Sequence, residues 1–230
     1  MKKSLLVIAI AAIAATAIYI AAFGAESAAI VPAPTVDNAK ASGTLQTAVL
    51  AGGCFWGVQG VYQHVRGVRQ VLSGYAGGEQ STAHYDVVGS GRTNHAESVQ
   101  ITFDPKEISY GELLQIFFSV VHDPTQLNRQ GPDSGTQYRS AIFFNDESQK
   151  KIAQSYIEQL TKAGVFKQPI VTRVDSNSGF YAAEAYHQDY LTNNPRNPYI
   201  VYNDLPKVEN LRRVFPAIYS GKPLLVAASR

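Results

Sequence analysis

The sequence TAVLAGGCFWGVQGVYQHVRG, residues 47–67, decides the fold around it. Its first five residues form a short and almost entirely apolar run, which is typical of a central strand buried on both faces. Two glycines end that run, and apolar side chains then recur at helical spacing from Phe55 until Gly67. The pattern therefore predicts a buried strand followed directly by a helix, with Cys54 in the first turn of that helix.

The rest of the chain continues to alternate between strand-like and helical patterns. Strands are predicted at residues 68–73, 97–103, 140–144 and 170–174, a loop at 74–94, and helices after Ser109, after Asp146, at 183–191 and at 207–214. Short spacings and the absence of a second composition regime indicate one α+β domain over residues 43–220, followed by a tail at 221–230. We expect a mixed sheet with helices packed on it, a two-layer sandwich.

Residues 97–103 alternate strictly between apolar and polar side chains, and Glu97 falls on the apolar face. If that face points into the core, the carboxyl of Glu97 points inward with it. Loss of solvent would raise its pKa and make it a proton donor near neutral pH. The alternative interpretation is a solvated carboxylate at the end of a strand.

Composition restricts the class of protein. The chain has 230 residues with 45% hydrophobic and 17% charged side chains, which indicates a globular domain and not a disordered one. The formal net charge is only +2, and no run of Lys or Arg is present. Nucleic acid is therefore not an expected partner.

The first 25 residues have the pattern of an export signal. Lys2 and Lys3 precede an uncharged apolar run at residues 5–23, with small residues suited to cleavage after it. The run is also close to the length that spans a bilayer, so a retained membrane anchor is the alternative. We predict an exported, periplasmic or otherwise extracytoplasmic protein, cleaved or anchored to the inner membrane, with a flexible linker at residues 26–42.

Cys54 is the single cysteine of the chain. An exported protein with one cysteine cannot form an internal disulfide, so Cys54 is a buried bystander, a lipidation site, half of an intermolecular bridge, or a reactive thiol. Its position far beyond Phe23 argues against lipidation, because a lipidated cysteine directly follows the apolar run. A helix N-terminus favours the thiolate. Phe55 and Trp56 would place aromatic rings beside the sulfur, which favours the reactive thiol over a small apolar residue at a helix start.

Five segments of the chain resemble one known family in the expected order. They are Gly53-Cys54-Phe55-Trp56-Gly57, His95-Ala96-Glu97, and the segments HDP at 122–124, DSGTQYRS at 133–140 and YHQDY at 186–190. Together they make residues 45–205 similar to the peptide methionine sulfoxide reductase A family. The resemblance implies an oxidoreductase that reduces methionine-S-sulfoxide, free or in proteins, and so repairs proteins after oxidative stress.

The resemblance also implies roles for individual residues. Cys54 would attack the sulfoxide sulfur and become a sulfenic acid, and Glu97 would donate a proton to the sulfoxide oxygen. The remaining site residues are Tyr85 and Tyr138, whose hydroxyls would assist Glu97, Phe55 and Trp56, which would hold the S-methyl group, and Asp133 and Tyr190, which would line or support the pocket. On the residues alone, the two assisting tyrosines would be ordinary half-buried aromatics in a chain with 13 tyrosines. His95 and His187 are expected to be structural hydrogen-bonding residues.

One departure from the family pattern affects recycling. Many relatives have a resolving cysteine after the His-Gln-x-x-Tyr segment, but residues 193–204 contain none here. The chain therefore resembles a single-cysteine type, in which the sulfenic acid must be reduced from outside. We expect a small thiol or a thioredoxin-like protein as reductant, no bound cofactor and no metal site.

Two other functions remain open on the sequence. A single-cysteine thiol peroxidase would use Cys54 on peroxide oxygen, although it does not need an aromatic cage shaped for a methyl group. A membrane-tethered module that binds oxidised or apolar peptides would leave Cys54 inert. Alkylation by iodoacetamide near neutral pH separates a reactive thiol from an inert one.

Overall fold

A six-stranded mixed sheet lies at the centre of the computed structural model, which describes residues 28–38 and 43–226. With numbering in chain order, the strands are adjacent in the sequence β7 (Arg173–Ser176), β6 (Ser140–Phe144), β1 (Gln46–Gly52), β3 (Ala96–Phe103), β2 (Val68–Ala76) and β8 (Phe180–Ala182). Only β6 and β7 pair in parallel; the other four pairings are antiparallel. Strands β4 (Arg129–Gln130) and β5 (Asp133–Ser134) form a separate small hairpin.

Helices and helical turns surround this sheet. The α-helices are α1 (Phe55–Gln63), α2 (Tyr85–Val88), α3 (Tyr110–Ile116), α4 (Glu147–Lys162), α5 (Tyr190–Asn193) and α6 (Leu205–Val214). A π-helical turn follows α3 at Phe117–Val121, and another precedes α6 at Ile200–Asp204. The predicted α+β domain, with a mixed sheet and helices packed on it, is confirmed.

The predicted elements differ from the observed ones mainly at their ends. Strand β2 continues to Ala76 because it pairs with both β3 and β8 there, so the predicted loop at 74–94 is shorter and contains α2. The helix predicted at 183–191 is instead two separate turns, because Asp189 adopts a left-handed conformation with φ +57°. The edge strand predicted at 170–174 begins at Arg173.

Two helix starts form as the sequence predicts. The Ser109 side chain accepts a hydrogen bond from the Glu112 N–H at 3.1 Å, and the Glu112 carboxylate accepts one from the Ser109 N–H at 2.8 Å. This reciprocal pair is the capping box. Asp146 caps α4 by accepting a hydrogen bond from the Gln149 N–H at 2.8 Å.

The described part of the predicted linker packs on the domain. Val31 is buried, the Tyr156 hydroxyl donates to the Pro32 carbonyl at 2.6 Å, and the Gln159 amide donates to the Ala33 carbonyl at 2.8 Å. A flexible linker is therefore wrong for residues 28–38. These residues form no regular element, but side chains of α4 donate hydrogen bonds to two of their backbone carbonyls.

The predicted tail also contacts the domain over its described part. The Leu224 N–H donates to the Gln63 carbonyl at 2.9 Å, and the Val226 N–H donates to Asp189 at 3.1 Å. The predicted leader, residues 1–25, lies outside the described residues. Within residues 28–38 and 43–226, no helix has both the length and the apolar character needed to cross a bilayer.

Candidate active site

The turn between β1 and α1 fixes the position of Cys54, which is the N-cap residue of α1. Gly53 has φ +88°, a conformation that side chains disfavour. A Cβ atom at Gly53 would also lie 2.6 Å from the Gln130 side chain. Glycine is therefore required there for both conformation and space, and Cys54 lies at the helix start as predicted.

The thiol of Cys54 lies in a poor environment for negative charge. The residue is 8% exposed, and burial is the main cause that raises its pKa well above the ordinary value. The carboxyls of Glu97 and Asp204 raise this pKa further, while the backbone N–H of Trp56 opposes them. Burial therefore outweighs the effect of the helix N-terminus, and the resting site favours the thiol form of Cys54 over the thiolate.

Glu97 points inward from β3, as its alternation pattern predicts, and is 3% exposed. Its Oε2 atom accepts a hydrogen bond from the Phe55 N–H at 3.1 Å, next to Cys54. Burial raises the pKa of Glu97 to about 8, and the bond from Phe55 only partly opposes this. Glu97 is therefore a protonated carboxylic acid at neutral pH and can donate a proton.

Tyr85 and Tyr138 come from separate segments and meet at this site. Burial is the largest cause that raises the pKa of each phenol, followed for both by the charge of Glu97. The pKa of Tyr85 rises to about 12, and a charge on Cys54 contributes to the shift of both phenols. The structure thus brings together the four predicted catalytic residues, each with its proton.

The two aromatic residues after the cysteine have different environments. Phe55 is 1% exposed and packs against Tyr75 and His187, with ring centroids 5.9 and 5.0 Å away. Trp56 is only partly buried and stacks on Tyr190 at 3.7 Å with an angle of 10° between the rings. Trp56 is therefore more accessible than Phe55, and the ring of Tyr190 packs against one face of its indole.

His187 holds this aromatic group together. Its Nδ1 atom accepts a hydrogen bond from the Trp56 indole N–H at 3.1 Å, and its ring lies 4.3 Å from that of Tyr85. Burial lowers the pKa of His187, so the neutral imidazole is the form at neutral pH. This agrees with the expected structural role. His95 similarly contacts the Glu79 carbonyl at 3.0 Å.

Asp133 reaches the site from β5 and is held by a residue that the sequence did not indicate. The Tyr199 hydroxyl donates a short hydrogen bond to Asp133, and the Tyr199 ring lies edge-on to Trp56 with centroids 6.0 Å apart. Burial and then a charge on Cys54 raise the pKa of Tyr199, which places its hydroxyl at the site. Tyr199 lies in the segment where many relatives have a resolving cysteine.

A buried ion pair lies behind the first turn of α1. Asp204 and Lys207 are 0% and 7% exposed, and the Lys207 Nζ atom lies 3.4 Å from Asp204 Oδ1. A Cβ atom at Gly57 would lie 2.1 Å from that same oxygen, so the carboxylate requires glycine at this helix position. Burial raises the pKa of Asp204 to about 6, and Lys207 opposes this shift. The glycine at position 57 is the sequence feature that indicates the close approach of Asp204 to α1.

The site combines a thiol, a buried carboxyl and two phenol hydroxyls, groups that are suited to nucleophilic attack and proton donation. Among the described residues, no group of His, Cys, Asp or Glu side chains is arranged to hold a metal ion. Residues 46–217 match the family described as peptide methionine sulfoxide reductase, and the chain belongs to that family. The single cysteine of the chain agrees with the predicted single-cysteine type.

Similar proteins span most of the chain. Peptide methionine sulfoxide reductase MsrA 2 of Mesorhizobium japonicum is 62% identical over 194 residues, which cover 84% of this chain and 99% of that protein. The MsrA 2 protein of Synechocystis is 51% identical over 190 residues, covering 81% and 88% of the two chains. The crystal structure of reduced Mxr1 from Saccharomyces cerevisiae has a TM-score of 0.60 at 35% identity, covering 71% and 92%.

Replacing Glu97 with Gln should stabilise the fold at neutral pH. Because the pKa of Glu97 is raised from 4.5 to about 8, the unfolded chain releases a proton that the folded protein retains. The free energy of unfolding of the wild type should therefore fall as pH rises between these values. At pH 7 the variant should be more stable by on the order of 3 kcal/mol. Urea unfolding at several pH values measures this difference, and a difference that does not grow with pH would contradict the assignment.

Replacing Asp204 with Asn should make Cys54 more acidic. The change removes a negative charge that raises the pKa of the thiol and leaves the positive charge of Lys207 nearby. The midpoint of iodoacetamide alkylation against pH should move down by about one unit, the usual scale for a neighbouring charge. Glu209→Gln, an exposed carboxyl on α6, serves as the control and should leave the midpoint unchanged. A midpoint that stays or rises in Asp204→Asn would refute this effect.

Proposed function

We propose that the protein reduces methionine-S-sulfoxide, free or within oxidised proteins, through attack of Cys54 on the sulfoxide sulfur. The observation that carries this proposal is the buried carboxyl of Glu97, which accepts a hydrogen bond from the Phe55 N–H next to the single cysteine. Sulfoxide oxygen is a poor leaving group unless it is protonated. Because burial raises the pKa of Glu97 to about 8, this residue holds a proton at neutral pH that it can donate to that oxygen. The preference for the S epimer rests on the family resemblance.

The first step transfers the sulfoxide oxygen to Cys54 and two electrons to the substrate. Glu97 donates its proton to the sulfoxide oxygen, while the Cys54 thiol loses its proton back to the Glu97 carboxylate as the sulfur attacks. The attack forms a bond between the two sulfur atoms. The protonated oxygen then passes from the methionine sulfur to the Cys54 sulfur as the sulfur–sulfur bond breaks, so Cys54 becomes a sulfenic acid and methionine leaves with the electron pair of that bond. Methionine is reduced by two electrons, and Cys54 is oxidised by two. Tyr85 and Tyr138 would hold the sulfoxide oxygen through their hydroxyls.

The environment of the thiol supports this order of events. Burial raises the pKa of Cys54, so little thiolate exists before substrate binds. Protonation of the sulfoxide makes its sulfur more electrophilic, so the nucleophile needs to lose its proton only as the bond forms. A thiol peroxidase relies instead on a resting thiolate, which argues against that alternative. An inert thiol would not need a proton donor beside it.

Recycling requires a reductant from outside the chain. No second cysteine exists to attack the sulfenic acid. An external thiol would condense with it, releasing water and leaving a mixed disulfide at Cys54, and a second thiol would release Cys54. A thioredoxin-like protein or a small thiol would supply both. Cys54 is 8% exposed, so only a small part of the residue is open to such a thiol.

The N-terminal sequence supports a location outside the cytoplasm. Lys2, Lys3 and the apolar run at 5–23 support export, with the domain either released into the periplasm or tethered to the inner membrane. The reductant would then act outside the cytoplasm. Cell fractionation with mass determination of the mature chain tests this, and recovery of the full-length chain in the cytosol would overturn it.

Without a reductant, each chain of the wild type should reduce one methionine sulfoxide to methionine and then stop. Excess peptide containing methionine-S-sulfoxide should leave Cys54 as a sulfenic acid, which dimedone traps as one adduct. Mass spectrometry of the peptide that contains Cys54, combined with quantified methionine, measures both. Two methionines per chain, or turnover with the R epimer alone, would contradict the scheme.

Variants at the site provide the controls for this measurement. Cys54→Ser should release no methionine, because a hydroxyl cannot replace the thiol as nucleophile. Glu97→Gln should retain one methionine per chain but form it about 10²–10⁴ times more slowly, the usual contribution of a positioned acid. An unchanged first turnover in Glu97→Gln would show that the proton comes from another group.

A further inference from the structure

Tyr186 is an exposed aromatic residue in the turn at Ala185–His187. It is 63% exposed, although its ring packs on the imidazole of the buried His187 with centroids 4.2 Å apart. Single exposed aromatic residues are common on protein surfaces. What Tyr186 can do therefore depends on how close it lies to the reacting groups and on the charges around it.

The contacts of His187 place Tyr186 next to the active site. The His187 imidazole lies 4.3 Å from the Tyr85 ring and 5.0 Å from the Phe55 ring, and it accepts the hydrogen bond of the Trp56 indole. Because Tyr85 and Tyr186 pack on this one imidazole, their rings are close neighbours. His187 is buried, whereas Tyr85 and Trp56 are partly exposed. Tyr186 therefore lies at the edge of the opening of the site to solvent.

Two carboxyl groups flank Tyr186. Glu184 accepts hydrogen bonds from the Tyr85 N–H at 3.0 Å and from the Tyr75 hydroxyl at 2.8 Å. Burial raises the pKa of Glu184, but these hydrogen bonds outweigh it and lower the pKa, so Glu184 is a carboxylate at neutral pH. Asp86 is exposed in the first turn of α2, directly after Tyr85. Burial and then the charges of Glu184 and Asp86 raise the pKa of Tyr186, because both carboxyls lie near its hydroxyl.

An exposed aromatic ring between two carboxyl groups is suited to bind a cation. The face of the ring attracts positive charge, and each carboxylate adds to that attraction. Among the described residues, no Lys or Arg forms an ion pair with Glu184 or Asp86. The chain as a whole has a formal net charge of +2, so its overall charge would not attract cations and any preference for them would be local.

We propose that Tyr186, Glu184 and Asp86, the Tyr186 patch, bind a Lys or Arg side chain of the oxidised polypeptide, so that the enzyme favours methionine sulfoxide near a basic residue. This inference rests on the proposed function, in which Tyr85 holds the sulfoxide oxygen. An extended polypeptide advances about 3.3 Å per residue, and the long stem of Lys or Arg extends that reach. A basic residue within about three positions of the methionine can therefore contact the ring that lies beside Tyr85.

A panel of blocked peptides tests this preference. Each peptide carries one methionine-S-sulfoxide and one Lys at a single position up to three residues away, and its partner carries acetyl-lysine there, which keeps the stem and removes the charge. The charge ratio is the kcat/KM of the Lys peptide divided by that of its partner. With dithiothreitol as reductant at low salt, at least one position should give a charge ratio of about three to ten, the scale of an exposed cation on an aromatic ring with charges nearby.

Salt dependence belongs to the same measurement. Because the Tyr186 patch is exposed, high salt should reduce the charge ratio toward one. A charge ratio of one at every position, or one that does not fall with salt, would overturn the inference.

Variants of the ring connect the charge ratio to Tyr186. Tyr186→Leu should reduce the ratio to near one, whereas Tyr186→Phe should retain most of it, because phenylalanine keeps the aromatic face. Tyr202→Leu is the matched control, since Tyr202 is 60% exposed against 63% for Tyr186. The control should keep the wild-type ratio. A ratio that survives in Tyr186→Leu, or falls equally in Tyr202→Leu, would refute the role of this ring.

Charge reversal tests the carboxyl groups. Asp86→Lys should lower the charge ratio to one or below. Glu147→Lys is its control, because Glu147 is also an exposed acidic residue in the first turn of a helix, α4. The control should keep the wild-type ratio, and an equal fall in both variants would overturn the inference. Each ratio compares two peptides on the same variant, so a change in overall activity cancels.

The outcomes separate this inference from the proposed function. If the wild type reduces neither the Lys nor the acetyl-lysine peptides, the proposed function is wrong. If it reduces both equally, only the assignment of the Tyr186 patch is wrong. If Tyr186→Leu slows turnover with a thioredoxin but keeps the charge ratio with dithiothreitol, the patch binds the reductant and the substrate assignment is overturned.

Discussion

The hydrogen bond from the Phe55 N–H to the buried carboxyl of Glu97 connects the two elements that make the site. It holds the first turn of α1 against β3, and so places Cys54 beside its proton donor. The sharp turn at Gly53 allows the helix to begin there. Without this contact, no hydrogen bond would hold the first turn of α1 beside Glu97.

Burial decides the charge state of the site. A helix N-terminus stabilises an anion by roughly 0.3–1 kcal/mol, whereas removing a charge from water costs several kcal/mol. The second effect is larger here, and both Cys54 and Glu97 keep their protons at rest. The buried Asp204 adds its field in the same direction. In the mechanism that we propose, reduction therefore begins with proton transfer to the substrate and not with a preformed thiolate.

The sequence predicts those site residues that lie in elements with a regular pattern of apolar side chains. The inward position of Glu97 follows from the alternation in β3, and the position of Cys54 follows from the strand, the glycines and the helix after it. Tyr199 and Asp204 could not be found in this way, because they lie in an irregular and π-helical segment where no period relates sequence to direction. The packing of residues 28–38 depends on side chains of α4 far along the chain, so composition alone suggests a flexible linker.

Glu97 should be a carboxylic acid at neutral pH, and infrared spectroscopy measures its protonation state directly. The difference spectrum between wild type and Glu97→Gln should show the carbonyl stretch of a protonated carboxyl at pH 7. That band should disappear with a midpoint near pH 8, where burial places the pKa of Glu97. A carboxylate band at pH 7, with a midpoint near the ordinary value for glutamate, would contradict this account.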